Sequence, residues 1–169
     1  MPRNHLIALA FLCIPFSATA ALPELRHLIA ADKPVGTAHM QVMWMDVYTA
    51  SFWSDSGGWE KPPYALTLTY GMRFTAEELA SRTRQEMLAV SSLPAAICEE
   101  YAERLKKIWP NVNAGDRITA LADKDSTLFF YNGKKLGTIE GQEFMKAFFA
   151  IWLSAKSSEP AMRQQLLAK

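Results

Sequence analysis

Four side chains in this sequence are candidates to touch a ligand through polar chemistry: Tyr48, Tyr70, Arg73 and Arg82. A phenol both donates and accepts a hydrogen bond, and a guanidinium offers a planar fork of donors to an oxygen anion or a carbonyl. Each has a plainer alternative. Tyr48 lies in a strand-like run, where a core tyrosine bonded to backbone is the ordinary case. Arg82 has Glu86 four residues on, the spacing of an ion pair along one helix face. Tyr70 and Arg73 fall where a strand ends and suit a surface pair beside a turn. His27 and His39 have no Cys, Asp or Glu at metal-ligand spacing. The sequence also lacks a Gly-rich phosphate loop and a serine in a nucleophile elbow. These residues imply no metal, no cofactor and no catalytic group.

The start of the chain gives an address. Residues 1–20 carry Arg3, an apolar run over 6–16, and Ala18-Thr19-Ala20, the small-residue pattern read by a signal peptidase. Cleavage is expected before Ala21, delivering the protein to the periplasm. The apolar run is about half the ~20 residues that a membrane span needs, so no transmembrane segment is expected after cleavage. Eighteen basic residues less Arg3 leave seventeen, matching the seventeen acidic ones. A neutral chain has no electrostatic attraction for nucleic acid or an anionic membrane. Cys13 leaves with the signal, and Cys98 alone forms no internal disulfide; it reads as a small buried helix residue. Residues 21–169 have the length of one domain, and the hydrophobic half of the chain is enough for a sizeable core.

The elements that position the four candidates follow from periodicity. Residues 21–33 read as a lead-in with a helical turn. Residues 37–53 alternate with both faces largely apolar, which predicts one long central strand covered on both sides. Ser54 to Gly58 form a turn, and 64–70 a second strand. Thr75 and Glu78 make a capping box that opens a helix with the stripe Leu79, Thr83, Met87, Val90. Pro94 begins another helix, with Ile97, Tyr101, Leu105, Ile108 and Trp109 on one side, and Pro110 ends it. Strands follow at 118–122, 126–131 and 134–139. Asn132-Gly133 joins the last two, because a type I′ turn needs positive φ at both central positions. Helix 142–153 is apolar on almost every side and must sit inside the protein. A short helix over 161–168 closes the chain.

Several motifs in order give a family resemblance: VG at 35–36, DVYTASFW at 46–53, LTLTY at 66–70 and FTAEELASRT at 74–83. Downstream come WPNVNAGDRIT at 109–119, FFYNGKKLGTIE at 129–140 and FMKAFFAIWLSAKSSEP at 144–160. Together they resemble the exported bacterial chalcone-isomerase-like proteins over nearly all of 21–169. The resemblance implies an α+β fold, an open-faced β-sandwich in which helices pack on one side of a large antiparallel sheet. Plant chalcone isomerases place a Tyr, a Lys and an Asn on the helix after the second strand, which fall on Leu79, Arg82 and Glu86. Their Ser or Thr on the late helix falls on Met145, and a Thr on the first strand falls on Met43. Leucine and methionine cannot donate to an oxyanion, and losing one such donor costs ~10²-fold in rate. The plant fatty-acid-binding proteins of this fold hold a carboxylate with an Arg and a Tyr. Tyr48 resembles that Tyr, but the Arg is absent from Gly36-Thr37-Ala38-His39, leaving Arg82, Arg73 or protonated His39 as the cation.

The expectation is therefore an exported, non-catalytic protein that binds a small apolar or amphipathic ligand, such as a fatty acid, between sheet and helices. Two alternatives stand beside it. One is an isomerase or lyase with a rebuilt site around Tyr48 and Arg82. The other is an envelope protein that binds a partner through exposed Trp53 and Trp59.

Overall fold

The computed structural model describes residues 22–169; the expected export signal at 1–20 lies outside them. Six antiparallel strands pair in chain order: β1 (Gly36–Val42), β2 (Met45–Ser54), β3 (Tyr64–Tyr70), β4 (Arg117–Asp123), β5 (Ser126–Tyr131) and β6 (Lys134–Glu140). Helices α1 (Ala76–Val90) and α2 (Ala95–Ile108) lie between β3 and β4 in the chain, and α3 (Gln142–Leu153) and α4 (Pro160–Leu166) follow β6. The helices pack on one face, so the α+β open-faced sandwich stands.

Alternation along the strands divides the core. Phe52, Tyr64, Leu66, Ala120 and Phe129 face the helices, while Trp53, Ala65 and Leu121 face the other way. That second face is covered in part by the lead-in, whose Leu25 and Ile29 are buried against it. Glu24 pins the segment by accepting from Arg117 Nη2 at 3.0 Å and Thr119 Oγ1 at 2.9 Å, and Asp55 accepts from the Ala30 and Ala31 N–H groups.

The reading of 37–53 as a single central strand is corrected. The run is a hairpin, turning at Met43 and Trp44 with φ of 48° and 68°. No Gly, Asn or Pro marks the turn, so the apolar alternation reads straight through it. β1 is thus an edge strand, exposed at Thr37, His39, Gln41 and Val42 rather than covered on both sides.

The helices follow the sequence closely. Thr75 and Glu78 make the reciprocal capping bonds. Cys98 is buried on α2, and burial pushes its thiol up. Gly141, at φ 107°, turns β6 directly into α3, nine of whose twelve residues are buried. Phe144 and Phe148 stack there at 5.5 Å, and Phe129 meets both edge-on.

Candidate functional site

Between the sheet and helices α1 and α3 lies a cleft of about 400 Å³. Its floor comes from the helix-facing residues of four strands, among them Met40, Tyr48, Leu68, Tyr70 and Ile118, and α3 closes it with Phe148, Ile151 and Trp152. A β-bulge shapes one wall. Met40 pairs with Tyr48 but Gln41 pairs with Asp46, so Val47 is the extra residue, and Val47 and Tyr48 both line the cleft despite being adjacent. Gly71 closes over the same place, accepting no side chain because a Cβ would lie 2.2 Å from the Asp46 carbonyl oxygen.

Tyr48 is the polar centre of the cleft. Its oxygen accepts from Trp152 Nε1 at 3.2 Å, and its O–H donates only to the Met162 thioether at 3.8 Å, a weak acceptor. Burial pushes the phenol above its ordinary value, opposed by the Trp152 bond. Tyr70 pairs across the strands with Tyr48, ring edge to face at 6.4 Å, and burial holds its hydroxyl protonated well above the usual range.

The rim is charged. Arg82 meets Glu86 at 2.5 Å, and the Glu86 carboxylate also accepts from Ser158 Oγ at 2.9 Å. The Arg82 side chain is 63% exposed and that of Glu86 only 12%, so the acid is the buried partner and the arginine the solvated one. Among the described residues lining the cleft, Arg82 is the one cation, against Glu78, Glu86 and Glu159. Glu78 is committed to the α1 cap, where its bonds with Thr75 lower its pKa. A carboxylate ligand therefore has to share or displace Glu86, whereas an uncharged oxygen can accept from Tyr48 with no such competition.

Three of the four candidate residues thus meet in one place: Tyr48, Tyr70 and Arg82 line the cleft. Arg73 does not; it is exposed just beyond β3. His39 points to the other face, its Nδ1 3.0 Å from Thr49 Oγ1. Of the positions matched to isomerase donors, Leu79 lines the cleft, but Met145 is buried outside its lining and Met43 sits exposed in the hairpin turn. The matching of those two fails because it treats 37–53 as one strand and assigns the late helix's inward face one turn too early. Trp53 is buried on the far face and Trp59 packs against the core, so neither is an exposed contact residue. Sequence reasoning missed Trp152 as a donor and Ser158 and Glu159 as rim groups. An indole N–H on a buried helix needs a partner, which is a signal for the first; the other two are placed by tertiary packing alone.

Among the described residues no group of three His, Cys, Asp or Glu is set to hold a metal ion, and no helix is long and apolar enough to cross a membrane.

No curated protein matches the sequence. Among solved structures, a fatty-acid binding protein of Arabidopsis thaliana superposes with a TM-score of 0.62 at 8% identity, covering 79% of this chain and 85% of that one. At that identity the likeness is one of fold. The sequence profile of the chalcone isomerase-like family matches residues 35–168, and the chain belongs to that family.

Proposed function

We propose that the protein is an exported, non-catalytic carrier that holds a small apolar or amphipathic ligand, such as a fatty acid, in the cleft beneath Tyr48. The observation that carries this reading is the cleft itself: about 400 Å³ of mostly aliphatic and aromatic wall with its polar groups gathered at Tyr48 and the Arg82–Glu86 rim. Pockets of this size and composition suit a single small apolar molecule oriented by a few polar atoms. Leu79, lining the cleft where a donor is needed, speaks against oxyanion chemistry. The fold shared with a fatty-acid binding protein supports the ligand class, and the pattern at 1–20 supports export to the periplasm.

Native mass spectrometry with lauric to stearic acids, and with the matching alcohols, tests the carrier. One bound molecule per chain is expected, reduced at least roughly tenfold in affinity by Leu79→Trp, which fills the cleft. Recovery of an empty chain that takes up neither series refutes it. Flavanone formation above background that is lost in Tyr48→Phe turns the reading to an isomerase. N-terminal sequencing of the fractionated protein should begin at Ala21; an intact Met1 refutes export.

A further inference from the structure

We propose that the tip of the β1–β2 hairpin, residues 42–45, is a membrane-docking element that seats the cleft against the surface of a lipid bilayer. The proposal rests on the carrier reading for its purpose, though not for its geometry. Val42, Met43, Trp44 and Met45 are 44, 77, 93 and 52% exposed, and among the described residues only Leu28, at 38%, joins them as an exposed large hydrophobic. Exposed apolar surface is thus concentrated at one point.

The turn is also built from the wrong residues for its backbone. Met43 and Trp44 both hold positive φ, a region in which bulky side chains are strained. Asn-Gly gives the same turn without strain and without exposed apolar area, as at Asn132-Gly133. A sequence that accepts both penalties at one spot marks a surface used for contact.

The apolar surface continues inward. Val42 belongs to the tip and also lines the cleft, next to Met40 and Val47. Apolar side chains therefore run without interruption on this wall from Met40 in the cleft through Val42 to the tip. The Arg82–Glu86 rim lies across the cleft on α1.

The chemistry of the occupant follows. A protein partner of ordinary affinity needs roughly 20–30 residues a side, and a two-residue turn with its flanks offers four. A convex point needs no matching groove in a fluid medium. Tryptophan settles at the bilayer–water boundary, and methionine adapts to irregular apolar surroundings. Asp46 is the one charge between residues 40 and 48, and Gln41 Nε2 donates to it at 2.6 Å. With no basic residue in that stretch, docking should depend little on salt or on lipid charge.

Flotation of the purified chain with phosphatidylcholine vesicles tests this. Trp44 is 93% exposed, Trp59 is half-buried, and Trp53, Trp109 and Trp152 are buried, so insertion should shift the Trp44 share of the emission to the blue. The wild type should co-float equally at low and high salt. The double variant Met43→Asn/Trp44→Gly should lose roughly tenfold or more of its vesicle partitioning. It should stay folded and keep its cleft binding in solution. Failure of the wild type to float, or equal flotation of the variant, overturns the proposal. So does a wild type that dimerises through the tip and ignores vesicles. If tip-dependent flotation is seen but no apolar ligand binds, docking stands and the carrier reading falls.

Discussion

The sheet ends in two hairpins, β1–β2 and β5–β6, at opposite edges but with their turns at the same end. Both turns hold positive φ at two successive residues, and both hairpins carry an irregularity in register. Their chemistry is opposite. At the far turn Asn132 Oδ1 accepts from the Arg117 N–H at 2.8 Å, and its Nδ2 donates to Asp116 at 3.0 Å. That carboxylate also accepts from the Asn113 N–H, and the bonds from Asn132 and Asn113 hold its pKa down. The near turn has Met43 and Trp44 facing solvent. One backbone shape therefore serves two purposes: the far hairpin locks the sheet, and the near one gives up local stability to shape a cleft wall and an apolar point.

The sharpest way to break this contrast is core truncation against tip truncation. Phe129→Ala, removing a fully buried ring from the far hairpin, should cost about 3–5 kcal/mol in urea denaturation. Trp44→Ala should stay within ~0.5 kcal/mol. Equal losses would mean that the tip is packed in solution.

Alkaline titration comes next. Tyr64 is pushed up to about 12 and Tyr70 also well above 10.0, in both cases by burial. Because the folded values are raised, this stability is fully present below pH 10 and is lost as pH climbs through the folded values. For Tyr64 that amounts to on the order of 2–3 kcal/mol. Circular dichroism against pH should show an alkaline midpoint that rises in Tyr64→Phe/Tyr70→Phe; an unmoved midpoint contradicts it.

Asn132→Ala should cost about 1–2 kcal/mol, since it removes two hydrogen bonds and leaves alanine at positive φ. Opposite in sign, Met43→Asn/Trp44→Gly should raise stability by about 0.5–1 kcal/mol, because it relieves the unfavourable φ. A loss instead would show that the apolar tip packs against the body of the protein.

The same contrast explains what could be read from the sequence. Asn132-Gly133 announced its hairpin because those residue types exist to adopt positive φ. Met43-Trp44 could not, since nothing in Met or Trp encodes a turn, and an alternating apolar run hides one. Local rules also placed the Thr75–Glu78 cap and the Arg82–Glu86 pair, whose partners lie within one turn of each other. Tyr48 was legible as a candidate, but its two hydrogen-bond partners, Trp152 and Met162, are more than a hundred residues away. Ser158 reaching Glu86 is likewise fixed only by the path of the chain after α3.

At Gly36 a Cβ would lie 2.0 Å from the Gln165 carbonyl oxygen, so α4 bears directly on the first residue of β1. β1 has a strand neighbour on one side only, and the chain's last helical turn is what weighs it down. Proteolytic trimming behind residue 160, or a tag fused without a spacer, should let this margin fray. An unfastened margin can recruit strands from other molecules, so the first symptom of losing the tail would be aggregation.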